Sequence, residues 1–120
     1  MDFLAVMESI GVDSQTVLRR FSGMEMLWKK FVFRFPEDPT YFSLEQAVLK
    51  QEDEEIERQA HALKGVAANL GFDQLSQHAN QIVQLVRQRP EGYRDMIKQE
   101  WEQLKAVYQK VLDAINCCKQ

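Results

Sequence analysis

At 120 residues, 45% hydrophobic and 28% charged, the chain is long enough for one modest core and too short for two. That composition is ordinary for a soluble globular protein; no apolar run is long enough to span a bilayer, and residues 1–10 lack the basic region that precedes the apolar stretch of a secretory signal. A net charge of −3 and a pI near 5.4 argue against nucleic acid as a general partner.

Phe3, Val6, Met7 and Ile10 follow the i, i+3, i+4, i+7 spacing of a short amphipathic helix that Gly11 stops. Asp13 or Ser14 can cap the next helical turn, where Val17, Leu18 and Phe21 repeat the period until Ser22-Gly23. Met24, Leu27, Trp28, Phe31 and Val32 form a strong apolar stripe. The run Phe35-Pro36-Glu37-Asp38-Pro39 ends it, because two prolines in four residues cannot continue a helix. Thr40 is then the expected cap of a helix carrying Tyr41, Leu44, Ala47, Val48 and Leu49.

A longer helix is predicted over about residues 52–69, opened by the acidic run Glu52-Asp53-Glu54-Glu55 and closed by Gly71. Carboxylates there complement the positive end of the helix dipole, worth about 0.3–1 kcal/mol each when exposed; the other reading is an acidic rim for a basic partner. At roughly 100° per residue, Ile56, Leu63, Val66, Ala67 and Leu70 gather on one side to face a core. His61 falls almost opposite, in solvent. Arg58 and Lys64 flank it three residues away on either side, and Gly65 and Ala68 follow one and two turns on. Glycine in a helix interior costs about 1 kcal/mol relative to alanine. Access is a physical reason for one beside an exposed histidine: without a side chain at Gly65, another molecule can reach the imidazole.

Asp73 is the expected cap of the next helix, with Leu75, Ala79, Ile82, Val83 and Val86 inside and Gln77, Gln81, Gln84 and Gln88 outside. Arg89-Pro90-Glu91-Gly92 is a turn. The last helix is predicted over about residues 93–116, presenting Ile97, Trp101, Leu104, Tyr108, Val111 and Ile115 on one face. No strand-like alternation appears. Short turns make neighbouring helices antiparallel, so the fold class is all-α: an up-and-down four-helix bundle over about residues 40–116, with short N-terminal helices over 2–35 crossing or capping one end. The whole of 1–120 is read as a single domain. Cys117 and Cys118, adjacent in the tail, suit neither a structural disulfide nor a metal site and are read as free thiols on a frayed terminus of a cytosolic protein.

An imidazole with its ordinary pKa near 6.5 is mostly neutral at neutral pH, and an exposed neutral ring nitrogen can attack phosphorus. Positive charge must offset the three oxygens of the transferring group. Lys64 can supply it as a flexible ammonium. Arg58 can do the same or pair with Glu54 or Glu55, and Glu57, one turn before His61, is placed to accept a bond from Nδ1 and leave Nε2 free. His78, at the edge of an apolar face without Lys or Gly nearby, reads as a half-buried packing histidine. No carboxylate or thiol has ligand spacing with either histidine, so no metal is expected. A glycine-rich phosphate loop is absent, and the bundle leaves no room for an ATP-binding kinase domain or a receiver domain.

The pattern His61-x-Leu63-Lys64-Gly65-x-x-x-Asn69-Leu70-Gly71 resembles the phosphoacceptor motif of histidine-containing phosphotransfer (HPt) proteins, the helical carriers of multistep two-component phosphorelays. The resemblance runs from about Asp13 to Ile115 and is weakest at the N-terminus. It implies a cytoplasmic, monomeric phosphoprotein that takes a phosphoryl group on His61 from a receiver-domain phospho-aspartate and gives it to another receiver. Its partners would be response-regulator receiver domains and hybrid sensor histidine kinases, with no nucleic acid and no membrane. It would hold no cofactor of its own, the Mg²⁺ lying in the partner's acidic pocket, and would have no kinase activity. In HPt proteins a glutamine on the helix after the acceptor often contacts the histidine site, and Gln77, Gln81 and Gln84 are the candidates. Where the family often has small hydroxyl residues after the glycine, this chain has Val66-Ala67-Ala68. Two rivals stand beside this reading: a helical module that binds a receiver or kinase without transfer, and one domain of a larger sensor kinase. The intact His-Lys-Gly set speaks against the first, and a start at Met1 without a linker against the second.

Overall fold

Each apolar period forms an α-helix in the computed structural model, which describes residues 2–119; Met1 and Gln120, the ends of the expected domain, lie outside them. The helices are α1 (Phe3–Ser9), α2 (Ser14–Arg20), α3 (Glu25–Arg34), α4 (Thr40–Lys50), α5 (Asp53–Leu70), α6 (Asp73–Gln88) and α7 (Tyr93–Lys119), with a 3₁₀ turn over Phe35–Glu37 between α3 and α4. No strand occurs among the described residues. Helices α4 to α7 pack in sequence, each against the next, and α7 returns to α4 to close the ring. Two-to-four-residue turns enforce this up-and-down order. Left-handed residues make the reversals: Gln51 after α4, Gly71 after α5 and Arg89 after α6.

The inner faces are those the spacing predicts. Leu44, Leu63, Leu75, Ile82, Leu104 and Ile115 are completely shielded from solvent, and Ile56 nearly so; burial of such a side chain is worth about 1.5–3 kcal/mol. Five expectations are corrected. Leu49, Met24 and Phe31 are exposed, because each falls at the border of its stripe. Val66 is half-buried, at the edge of a groove it shares with Phe31, Arg34 and Phe35. Ala60, missing from the predicted stripe, takes a fully buried place on α5. Thr40 and Asp73 are first helical residues and not caps: Asp38 Oδ1 accepts from the Thr40 backbone N–H (2.9 Å), and the α6 cap position is Phe72. Cys117 and Cys118 are free but not frayed, since α7 runs past both and Cys118 is buried.

The N-terminal helices cap one end of the bundle, α1 against α7 and α2 and α3 against α5. Their chemistry is aimed at the C-terminal end of α5. A helix leaves its last four carbonyls without intrahelical donors, and here all four are satisfied. Gly71, with φ +94°, lets the Phe72 and Gly71 N–H groups donate to Ala67 and Ala68 (2.9 and 3.1 Å). The Arg20 guanidinium from α2 donates to Ala68 and Asn69 (2.6 and 3.3 Å), and Trp28 Nε1 from α3 donates to Leu70 (3.0 Å). Trp28 is itself fully buried, with Phe3 edge-on at 4.9 Å. The cap thereby fixes α5, the helix that carries His61.

Candidate functional site

Helix α5 is anchored at its start as firmly as at its end. Asp53, Glu54 and Glu55 lie in its first turn, at the positive end of the dipole. The Asp53 carboxylate, 11% exposed, accepts from Tyr93 Oη (2.7 Å) and the Arg94 guanidinium (3.3 Å), with Arg89 3.6 Å away. This joins the start of α5 to the start of α7. Glu55 accepts from Arg58 (2.6 Å) and Gln59 (2.8 Å). Asp53 and Glu55 are thereby taken up within the chain, whereas Glu52 and Glu54 are exposed.

Between these anchors His61 stands exposed on the outer face of the helix. Gly65, one turn on, is exposed, and a Cβ built there would have no atom within 4 Å. Its backbone lies in regular helix, without the positive φ of Gly71. No backbone demand explains a glycine at this point, and the space around it is open. Lys64, three residues on from His61, is half-buried, and Ser76 Oγ from α6 donates to its backbone carbonyl (3.0 Å). Side chains on a helix lean toward its N-terminus, and one turn toward the N-terminus from Lys64 is His61. Ala68, half-buried, continues the low surface one turn beyond Gly65.

Of the two expected roles for Arg58 the structure has the ion pair, to Glu55, with the Arg58 side chain 69% exposed. Glu57 does not bond His61. Its carboxylate takes Arg87 Nε from α6 at 3.2 Å. That contact was not legible in the sequence, because the partners are 30 residues apart and only the helix register brings them together. The Ser76–Lys64 and Arg87–Glu57 bonds set residues 80 and 81 of α6 level with His61. At about 100° per residue, Gln81 has the level but turns away from α5, Gln77 lies about 40° from Gln81 and is likewise exposed, and Gln84, half-buried, lies a turn further along on the side nearer α5. Asn80 has both the level and the side; it is half-buried, with an Oδ1 shielded from solvent and no hydrogen-bond partner. His78 is half-buried as expected, and its Nδ1–H donates to Glu100 on α7 (2.5 Å). No cluster of three metal-ligating side chains occurs among the described residues.

A family model, the Hpt domain, matches residues 42–114, more than half of the chain. The chain belongs to the Hpt domain family. No curated protein and no solved structure matches it significantly. Hpt domains are phosphotransfer carriers of phosphorelays and work with two-component receiver or kinase partners; they are not kinases. The matched segment contains α5, α6 and almost all of α4 and α7, the helices around the His61 face, whereas α1 to α3 precede it. None of the helices among the described residues is long and apolar enough to cross a membrane.

Proposed function

We propose that this Hpt domain accepts a phosphoryl group on His61 from a receiver-domain phospho-aspartate and passes it to the aspartate of another receiver. The observation that carries the reading is the exposed His61 beside a Gly65 that faces open space, on a helix braced at both ends. A ring-nitrogen lone pair forms the N–P bond while the acyl phosphate P–O bond breaks, and its electron pair leaves on the aspartate carboxylate. The other ring nitrogen keeps its proton, so no base is needed. Lys64 balances charge on the phosphoryl oxygens, and Gly65 and Ala68 leave the receiver room to approach. The Mg²⁺ that activates the aspartyl phosphate belongs to the partner, and the chain acts as a monomer without ATP chemistry of its own.

The test is a two-receiver relay. Labelled phospho-receiver should load the protein, and a second receiver should unload it. His61→Gln should abolish both steps while leaving circular dichroism at its wild-type value. Binding of a receiver without any transfer would replace this reading with that of a non-transferring interaction module.

A further inference from the structure

The ring of helices is loosest between α4 and α7. Near the start of α4 the Tyr41 ring stacks on Tyr108 at 3.7 Å, with Trp101 5.2 Å away. Toward the end of α4 a groove of about 500 Å³ lies between the two helices, floored by the buried Val48 and Trp101. Leu49 projects from its edge, 71% exposed. Phe42, seven residues earlier and so on the same side of α4, is 62% exposed. One exposed apolar side chain is ordinary, but two on one helix face beside an apolar groove form a patch of the kind that partners cover. The rims carry opposite charge. Glu102 and Lys105 pair with each other at 3.2 Å, whereas Glu45 on the α4 rim and Lys98 on the α7 rim have no ion-pair partner among the described residues. His61 stands on α5, where the neighbouring Lys64 carbonyl is bonded from α6. In a ring ordered α4 to α7, that edge is opposite the groove.

We propose that the groove between α4 and α7 docks one amphipathic helix of a partner protein, its apolar stripe set between an acidic and a basic flank. A helix laid in a groove anchors through side chains at i, i+3, i+4 and i+7. The span from Phe42 to Leu49, about 10 Å along α4, matches two turns of such a helix. The acidic flank meets Lys98 and the basic flank meets Glu45, so the opposite signs of the two rims fix which way the helix runs. A lipid surface does not match. The groove is concave and its rims hold two acids and two bases, whereas anionic membranes select clusters of cations. Nor does a second copy of the chain, because a two-fold contact lays groove over groove and leaves both floors unfilled. Since the groove faces away from His61, the partner helix stays bound while a receiver works on the far side.

The probe is a synthetic helical peptide with leucines at i, i+3, i+4 and i+7, glutamates on one flank and lysines on the other. In the ¹⁵N-labelled wild-type protein it should shift the indole Nε1–H resonance of Trp101, in the groove floor. The resonance of Trp28, bonded to the Leu70 carbonyl under the cap, should stay in place. Leu49→Lys, at an exposed position, should keep the circular dichroism and weaken binding about tenfold or more. Lys98→Glu should weaken the mixed-flank peptide, and a peptide with lysines on both flanks should recover the loss, which a damaged fold would not allow. His61→Gln should bind the peptide as the wild type does, so a failure of the phosphocarrier reading leaves this inference standing. Saturating peptide should leave transfer from a phospho-receiver at its usual rate. A Trp101 resonance that does not move, or a Lys98→Glu loss that no peptide recovers, overturns the proposal. So does competition between peptide and receiver. Binding to anionic vesicles, or a dimer in sedimentation, that Leu49→Lys abolishes would assign the surface to lipid or to a second copy and overturn it equally.

Discussion

Gly65 offers the sharpest perturbation, because its two explanations predict opposite signs. A Cβ placed there meets nothing within 4 Å and the backbone is helical, so Gly65→Ala should gain the helix-propensity difference, up to about 1 kcal/mol. At about 2.1 cal/mol/K per residue, unfolding 120 residues has an entropy of about 0.25 kcal/mol/K, and the gain becomes a rise of about 4 °C in melting temperature. Gly71 is the built-in contrast. Its φ is +94°, and a Cβ would lie 2.5 Å from Val17 Cγ2 and 2.8 Å from Val12 Cγ1, so Gly71→Ala should lower stability by about 2 kcal/mol or more. Function should move the other way. Gly65→Gln should keep the fold but fill the space beside His61, cutting transfer from a phospho-receiver by orders of magnitude, while a small phosphoramidate donor should be affected much less. A destabilised Gly65→Ala, or a Gly65→Gln that transfers normally from a receiver, would refute the reasoning that this glycine exists for access.

Three further outcomes are expected. Lys64→Ala should cost less than about 1 kcal/mol in denaturant unfolding, mostly from its half-buried stem, yet slow transfer or shorten the life of phospho-His61. Arg20→Ala removes the donor to the Ala68 and Asn69 carbonyls and should cost about 1 kcal/mol, with faster amide exchange at the end of α5. All three tyrosines are held above the usual value: Tyr41 by burial, to about 12, Tyr93 by its hydrogen bond to Asp53, and Tyr108 by burial. Absorbance at 295 nm should therefore show less tyrosinate at pH 10 than in the unfolded chain, which is about half ionised there. A raised folded pKa means the native state keeps its proton longer, so the tyrosine contribution to stability is full below pH 10 and is lost as pH rises above it, for Tyr41 toward about 12.

Periodicity made the bundle legible. The stripes of α6 and α7 are buried residue for residue, because both helices pack on two neighbours and have wide apolar faces. It served less well at borders: Leu49 and Val66 sit where a stripe ends, and a one-residue pattern cannot say which side a neighbour covers. Caps were off by one at Thr40 and Asp73, since Asp38 and the backbone at Phe72 fulfil the function from one or two positions earlier. At the site, His61, Lys64 and Gly65 were visible together because they are neighbours on one helix. The Arg87–Glu57 pair, Asn80, the Arg20 and Trp28 caps and the His78–Glu100 bond were not. Each joins different elements, and residue spacing within one helix is silent about the register between two.

The central claim is that His61 and no other residue carries the phosphoryl group, and tandem mass spectrometry after loading from a phospho-receiver reads this directly. His78, its Nδ1 held by Glu100 on a half-buried ring, is the internal control. One acid-labile, base-stable phosphoryl group is expected, located on the peptide containing His61 and absent from His61→Gln. Label on His78, on a serine, or surviving in His61→Gln would contradict it.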